Sequence, residues 1–388
     1  DMVDAVGLAL VHLAELLEHS ARRVPFREAV RSNGQSLTYR ELDEASHRVA
    51  RALQQVGVTP GDRVGLYLTK SLGSVVGIFG ILKAGAAYVP LDPKYPMERL
   101  AYMVKDSGAE VIITQRGLLE PSLAPGLHII DLDTDRPRLD RQPGSNPSPA
   151  ALTPDHLVNV IYTSGTTGWP KGVGALHRGF SNLLHWYVDA FNIGETDRVL
   201  VVTSPSFDLT QRNLFAPLLV GGRLCLAQGG FDPQRTLASL VEHGITLVNL
   251  SPSAFQALLD IHGEGNFASL RLLVFGGEPL HRARLEEIPE PRPELVNGYG
   301  PSECTGISVF HRISPDLSRY SAGVIPIGSP VPGTRVYLLD AHGQPVPVGV
   351  VGEIHIGGMP VGRGYLNRPE LTAERFLADP FSSVPEAR

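Results

Sequence analysis

A chain of 388 residues is long enough for two or three domains or one large multi-lobed unit, and its 43% hydrophobic and 19% charged residues can build a sizeable core. The net charge of −6, with no basic run, argues against nucleic acid as a partner. No apolar stretch approaches the roughly 18 residues that a membrane span requires.

From the start, Leu13, Leu16 and Leu17 recur at helical spacing and predict a helix from Val11 to Arg22. A clearer helix is expected from Leu37 to Val56. Thr38 and Glu41 fit a capping box, and Leu42, Ala45, Val49, Leu53 and Val56 line one face. Arg63 to Leu68 reads as a strand. Leu72 to Leu82 reads as an apolar helix whose Gly73, Gly77 and Gly80 imply close packing against a neighbour. Gly85 to Pro93 is a strand entering a Pro-rich turn, followed by a helix from Met97 to Lys105 and a strand from Val111 to Thr114. This alternation predicts a mainly parallel α/β sheet.

Asp140 to Pro154 is rich in Pro, Ser and Asn and is expected to be an exposed connector leading to a buried strand, Val158 to Tyr162. After a helix from Arg178 to Phe191 comes a second alternating block. Its strands are Val199 to Thr203, Arg223 to Ala227, Thr246 to Leu250 and Leu270 to Phe275. Its helices are Gln211 to Leu219, Thr236 to Glu242 and Ser253 to Ile261. Beyond Ser321, Pro and Gly become dense, and short alternating runs at Arg335 to Leu339 and Glu353 to Ile356 predict a small β-rich lobe. The expected fold class is α/β: two stacked α/β subdomains, 1–190 and 191–320, with a small β-rich subdomain, 321–388.

Three strings carry chemistry. The strand Val158 to Tyr162 breaks into Thr163-Ser164-Gly165-Thr166-Thr167-Gly168-Trp169-Pro170-Lys171-Gly172. Small residues let backbone approach a ligand, successive N–H groups make an anion nest, the hydroxyls add donors and Lys171 adds a cation, which together suit a polyphosphate. The spacing is not that of a Walker A loop, because only Thr166 and Thr167 separate the two glycines and Pro170 precedes the lysine. The second string is Asn297-Gly298-Tyr299-Gly300-Pro301-Ser302-Glu303, at the end of an apolar strand. Tyr299 can stack on a purine, Ser302 can donate to a phosphate oxygen and Glu303 can hold a magnesium ion; a β-turn around Gly300-Pro301 with a solvated Glu is the competing reading. The third, Gly352 to Gly358 and then Val361 to Phe376, reads on its own as a hairpin and a helix.

Taken together, these strings resemble the adenylate-forming superfamily, specifically the N-terminal core of the amino-acid adenylation domains of nonribosomal peptide synthetases. Thr163 to Gly172 is similar to the family's phosphate loop. Asn297 to Glu303 matches its Asn-x-Tyr-Gly-Pro-Thr-Glu motif, with Ser302 keeping the hydroxyl of the Thr. Leu37 to Leu42, Leu82 to Pro93 and Gly352 to Phe376 are similar to further signatures, in order, over nearly the whole chain. The resemblance implies an acyl-CoA synthetase/luciferase-like core and a reaction in which an amino-acid carboxylate attacks the α-phosphate of ATP. Pyrophosphate leaves, and the aminoacyl-adenylate passes to the phosphopantetheine thiol of a peptidyl or acyl carrier protein. It also admits an MbtH-like protein as a partner.

The same resemblance assigns roles. Thr163, Ser164, Gly165, Thr166, Thr167, Gly168 and Lys171 would hold the phosphates, with Mg²⁺ on Glu303. Gly276, Gly277 and Glu278 would supply the adenine-side backbone, Asn297 would take the adenine amino group, and Tyr299, Gly300 and Ser302 would complete the nucleotide site. Thr163, Lys171, Glu303 and His177 are the catalytic candidates, and for His177 a core or helix-capping role stands equally open. Phe207-Asp208 matches a family signature in which the carboxylate pairs with the substrate's α-ammonium group. Burying a carboxylate in an apolar pocket calls for such a partner, and a helix cap is the alternative. Motif spacing carries the side-chain pocket onto Leu209, Arg212, Asn249, Leu273, Phe275, Gly298, Gly306 and Ile307. There Arg212 and Asn249 favour a polar or acidic side chain, Phe275 would fill space, and Gly298 and Gly306 would create it.

The family's next motif, which grips the ribose, and its C-terminal lobe with a catalytic lysine lie beyond Arg388, so weak turnover is expected of these residues alone. An acyl- or aryl-CoA ligase of the same fold and a non-catalytic binding module are the competing functions. Asp1-Met-Val-Asp4 lacks the features of a signal peptide, and Cys225 and Cys304 match no metal spacing, so a cytoplasmic setting with free thiols is expected.

Overall fold

The computed structural model describes residues 13–123, 125–145, 152–164, 168–263, 265–321, 323–384 and 387–388. Two sheets organise it. The first contains β3 (Arg63–Leu66), β4 (Ala87–Pro90), β5 (Val111–Thr114), β6 (His128–Asp131), β7 (Leu157–Thr163) and β8 (Lys171–Leu176), in the order β6-β5-β3-β4-β7-β8. It is parallel except for β8, which runs antiparallel to β7. The second sheet contains β1 (Glu28–Ser32), β2 (Gln35–Thr38), β9 (Arg198–Val201), β10 (Arg223–Leu226), β11 (Leu247–Leu250), β12 (Leu272–Phe275), β13 (Glu294–Tyr299), β14 (Val309–Arg312) and β15 (Ser329–Pro330). Its order is β15-β14-β13-β12-β11-β9-β10-β1-β2. A separate antiparallel ribbon, β16 (Thr334–Leu339) with β17 (Glu353–Gly358), forms the β-rich end of the chain.

The largest core lies between the two sheets. Helices α1 (Leu13–Arg23), α2 (Tyr39–Gln55), α3 (Leu72–Lys83), α6 (His177–Ala190) and α7 (Asp208–Val220) fill it with Phe79, Phe180, Tyr187 and Phe215, and Phe191, just after α6, joins them. Two shorter helices, α4 (Met97–Ser107) and α5 (Arg136–Asp140), precede α6 in the chain. Helix α4 covers the outer face of the first sheet. Helices α8 (Pro233–Glu242) and α9 (Pro252–Leu259) cover the outer face of the second. The order is helix, sheet, helices, sheet, helix, which buries both faces of each sheet as parallel sheets require.

Local chemistry accounts for the elements. The capping box is present: the Thr38 N–H donates to Glu41 Oε2 at 2.8 Å and the Glu41 N–H to Thr38 Oγ1 at 3.3 Å. The glycines of α3 do allow close packing, since a Cβ at Gly80 would lie 2.5 Å from Val49 Cγ1 on α2. Part of the expected connector, residues 146–151, lies outside the described residues, and Gly144 before it is tied to α2 by its carbonyl, 2.9 Å from His47 Nδ1.

Three features differ from the sequence expectation. The hairpin β1–β2 falls within the expected first subdomain yet extends the second sheet, with Val30 paired to Leu224 and Leu37 in parallel and antiparallel register. Between the phosphate-loop string and the helix expected from Arg178 lies a strand the sequence reading does not include, β8, which closes a hairpin with β7. Strand β6 was not anticipated, because His128 interrupts an otherwise very short apolar run.

Candidate active site

The run Val158-Asn-Val-Ile-Tyr162 is buried on both faces, as a central strand should be, and carries Thr163 to its carboxyl end. Thr163 pairs with Lys171 across the ladder, so the loop between them closes the hairpin at a sheet edge. Gly165, Thr166 and Thr167 lie outside the described residues. Ser164 and Gly168 are exposed, and Gly168 has φ +92°, a conformation that favours glycine. The Thr163 hydroxyl is buried and meets no hydrogen-bond partner among the described residues, as a group kept for a ligand would be. Trp169, for which the sequence offers no rationale, packs on Tyr102 of α4 with ring centres 4.8 Å apart, and Arg368 Nη2 donates to the Tyr102 hydroxyl at 2.8 Å. The loop rim is thereby fastened to α4, and a cleft of about 330 Å³ opens between Glu98, Arg99, Ser164, Gly168 and Trp169.

Glu303 comes from the other sheet. Strand β13 ends at Tyr299, and the chain folds back so tightly that a Cβ at Gly300 would lie 1.7 Å from the Gly306 carbonyl oxygen. Glu303 sits in a short 3-10 turn, Ser302–Cys304. Its carboxylate accepts from the Tyr365 hydroxyl at 2.6 Å, and Lys171 Nζ lies 4.4 Å from the centre of the Tyr365 ring. Burial first, and the bond to Glu303 next, raise the Tyr365 phenol well above its ordinary value. The segment carrying Tyr365 is stitched to both strings: the Gly362 N–H donates to the Glu303 carbonyl at 2.9 Å, and the Arg363 N–H to the Gly174 carbonyl of β8 at 2.9 Å. Tyr365 was missed by reasoning from sequence. Its only signal was a Gly-Arg-Gly-Tyr string with no periodicity.

Ser302 does not point its proton at a phosphate in this structure. Its hydroxyl donates to Asp208 Oδ2 at 2.5 Å. Asp208 opens α7, is half-buried, and accepts from the Leu209 N–H at 2.6 Å. The motif ending in Glu303 is thus tied directly to the acid expected to meet an amine. Asn297 is buried, and its amide nitrogen donates to the Pro326 and Ile325 carbonyls at 3.0 and 3.3 Å, which orients the amide and leaves Oδ1 as its acceptor. Tyr299 is exposed at the end of β13. Gly276 lies beside Leu209 and Gly298, whereas the Glu278 carboxylate is occupied with Ser253 of α9, accepting from its N–H at 3.0 Å and its hydroxyl at 2.7 Å. His177 is buried as the first residue of α6, and its N–H donates to the His156 carbonyl at 3.0 Å.

The expected side-chain pocket is brought together only in part. Arg212 follows Asp208 by one turn of α7, and α7 packs against β11, which carries Asn249. Asn249 pairs in register with Val274, so Leu273 and Phe275 alternate to the other face, where Phe275 meets Phe255 at 5.3 Å. The room that Gly298 was expected to leave is filled by Ile307, whose Cδ1 would be 2.7 Å from a Cβ there. Gly306 has φ +98° and faces Leu183 of α6.

A magnesium ion would suit this site: Mg²⁺ is held by one or two carboxylates together with substrate phosphates, and the Glu303 carboxylate, oriented by Tyr365, would supply the protein share. Among the described residues no cluster of three or more metal-ligating side chains occurs, and no helix is long and apolar enough to cross a membrane.

The profile of the family described as AMP-binding enzyme matches residues 17–366. Tyrocidine synthase 3 of Brevibacillus parabrevis is 40% identical over 377 residues, covering 95% of this chain but 6% of that protein, so the chain spans a small part of such relatives. The nonribosomal peptide synthetase FmoA3 in its AMPPNP-bound form has a similar structure, with a TM-score of 0.90 at 30% identity over 98% of this chain and 40% of that one. The Klebsiella oxytoca NpsA N-terminal subdomain, solved in complex with 3-hydroxybenzoyl-AMSN, gives a TM-score of 0.87 at 25% identity and covers 97% of this chain and 95% of that one. The family match over most of the chain and the likeness of the whole fold to these structures show that this chain belongs to the AMP-binding enzyme family as the N-terminal core of an adenylation domain of the nonribosomal peptide synthetase kind.

Proposed function

We propose that this core activates an amino acid with ATP, forming an aminoacyl-adenylate and pyrophosphate, for capture by the phosphopantetheine thiol of a carrier protein. The observation that supports this most is the approach of Lys171 and Glu303 to one tyrosine, Tyr365, next to Ser302, whose hydroxyl donates to the Asp208 carboxylate. In phosphoryl-type transfer the protein mainly positions the reactants and neutralises charge. Lys171 and the loop amides would screen the outgoing phosphates. Asn297 Oδ1 would accept from the adenine amino group. Asp208 would accept from the substrate ammonium, placing the substrate carboxylate toward the nucleotide. Magnesium bound at Glu303 would withdraw charge from the phosphate oxygens. A carrier protein is the partner this reading requires, an MbtH-like protein is one it admits, and a cytoplasmic setting goes with it.

A second reading is kept because the NpsA subdomain was solved with a 3-hydroxybenzoyl ligand, which has no α-amine. Asp208 separates the two. Calorimetry of this chain with Mg·ATP and a panel of amino acids should find binding that Asp208→Ala abolishes while Mg·ATP binding survives. If amino acids and their deamino analogues bind alike, or Asp208→Ala changes nothing, the amino-acid reading fails.

A further inference from the structure

Three buried polar side chains, none of them in the strings that carry chemistry, form one hydrogen-bonded chain from the first sheet to the start of α7. Tyr88 on β4 and Asn159 on β7 stand opposite each other in parallel register and are 0% and 1% exposed. Gln211, near the start of α7, is 3% exposed. The Asn159 amide nitrogen donates to the Tyr88 hydroxyl oxygen at 3.0 Å, and the Tyr88 hydroxyl donates to Gln211 Oε1. The Gln211 amide nitrogen donates in turn to the Pro205 carbonyl at 2.5 Å and to the Phe207 carbonyl at 3.3 Å. The direction of the chain is fixed, because carbonyls only accept: Gln211 must present its nitrogen to them and its oxygen to Tyr88. Burial holds the Tyr88 phenol well above its ordinary value, so the hydroxyl keeps the proton it donates.

Packing alone does not call for this chain. Tyr88 lies in the largest core beside Phe215, ring centres 6.4 Å apart, and burying polar groups there costs free energy that apolar side chains would not. Asn159 Oδ1 meets no partner among the described residues, so part of that cost is not offset. What the chain does is hold backbone. Phe207, the N-cap of α7, makes no side-chain cap hydrogen bond. The segment leading to Asp208 is held instead from α7 itself, by Gln211 and by the Thr210 hydroxyl, which donates to the Ser204 carbonyl at 2.8 Å. At the other end of the chain, Asn159 lies on the strand that finishes at Thr163. A buried hydrogen-bonded chain fixes the arrangement of the elements it joins. Resting on the amino-acid reading above, we propose that Asn159, Tyr88 and Gln211 are positioning residues that set the backbone before Asp208 against the strand carrying the phosphate hairpin, so that an ammonium held by Asp208 brings its own carboxylate to the nucleotide. They act through the Pro205 and Phe207 carbonyls rather than by contact with substrate. Without the Tyr88 hydroxyl the Gln211 amide is free to turn, the two carbonyls lose their donor, and Asp208 is no longer held in place.

The test compares this chain with Tyr88→Phe, which removes only the hydroxyl, and with Gln211→Met, which keeps the length of the side chain and removes its donors. Each is titrated calorimetrically with Mg·ATP, with the proteinogenic L-amino acids in the presence of AMP and Mg²⁺, and with the deamino analogue of the amino acid that binds most tightly. Both variants should bind that amino acid about fivefold or more weakly, on the scale of one lost buried hydrogen bond. Binding of Mg·ATP, and of the deamino analogue, which makes no use of Asp208, should be unchanged. A purely structural role would weaken all three ligands together, or lower the melting temperature and weaken none. Unchanged amino-acid affinity in either folded variant, equal losses for the amino acid and its deamino analogue, or failure of both variants to fold overturns the inference while leaving amino-acid activation standing. An unmodified chain that binds an amino acid and its deamino analogue alike, or Mg·ATP with no amino acid, overturns both.

Discussion

The Tyr365 hydroxyl donates to Glu303 Oε1 at 2.6 Å while the same ring carries the Lys171 ammonium 4.4 Å from its centre. One phenol therefore touches both an acid from the second sheet and a cation from the first, at the place where nucleotide phosphates and a metal are proposed to sit. The hydroxyl orients the carboxylate and the ring holds the ammonium against an aromatic face. Tyr365→Phe keeps the ring and removes only the hydroxyl. A hydrogen bond to a charged group contributes about 1.5–3 kcal/mol, so Mg·ATP affinity should fall by roughly tenfold or more. Amino-acid binding without nucleotide should be unaffected. Titration calorimetry reads both, and unchanged Mg·ATP affinity in a folded Tyr365→Phe protein would make the bond incidental.

Trp169 offers an optical report on the same loop. The chain has 2 tryptophans, and Trp186 is packed in the core at 8% exposure while Trp169 is 44% exposed and lies on Tyr102. Mg·ATP should therefore change the intrinsic fluorescence, and Trp169→Phe should abolish that change. Trp169→Ala should lower nucleotide affinity several-fold, in line with the roughly 0.5–1.5 kcal/mol that aromatic pairs contribute, with little effect on stability. A fluorescence response that persists in Trp169→Phe would assign the signal elsewhere.

What the sequence disclosed, and what it hid, follows the range of the interactions. The capping box at Thr38 and Glu41 and the close packing of Gly80 are local or nearly so, and they were legible. Strand β8 was not, because Gly172 and Gly174 interrupt its alternation, and its pairing with β7 is what turns the loop into a hairpin. The β1–β2 hairpin gives no hint in its own residues that its neighbour is β10, far along the chain. In the site, motif spacing located Lys171, Glu303 and Asp208 but could not say that Ser302 would bond to Asp208, or that the Asn249 register would turn Phe275 to the opposite face. Spacing orders residues along the chain, whereas the direction of a side chain depends on a register set by the partner strand.

The turn after Tyr299 carries Ser302 and Glu303 together, so its backbone is open to a test independent of their chemistry. A Cβ at Gly300 would lie 1.7 Å from the Gly306 carbonyl oxygen and 2.7 Å from the Ser308 nitrogen. Both are backbone atoms that cannot rotate away, so the segment must open. Gly300→Ala should destabilise the protein by about 3 kcal/mol or more, within the range of severe steric substitutions, and should abolish Mg·ATP and amino-acid binding together. Urea midpoints and calorimetry check this. A wild-type midpoint in Gly300→Ala would mean that the segment does not fold back in solution as described.

Asp197 gives the stability a pH dependence whose sign can be worked out. Burial alone would raise its carboxyl, but Arg271 Nε and Nη2 donate to it at 2.7 and 2.6 Å, Thr246 Oγ1 at 2.7 Å and the Gly194 N–H at 2.9 Å. These outweigh burial and hold the folded value below the ordinary 3.8. A depressed folded value means that the contribution is complete above the unfolded pKa and disappears as pH falls through the folded one. Asp197→Asn should therefore cost about 2–3 kcal/mol at neutral pH, below the range for a fully buried pair because Arg271 is 37% exposed. The stability gap between wild type and variant should stay constant from neutrality to about pH 5 and shrink below about pH 4 as the wild-type carboxylate takes up a proton. Urea unfolding at pH 7 and pH 3 measures both ends; a gap of the same size at the two pH values would show that the charge on Asp197 is not what holds Arg271, Thr246 and Gly194 together.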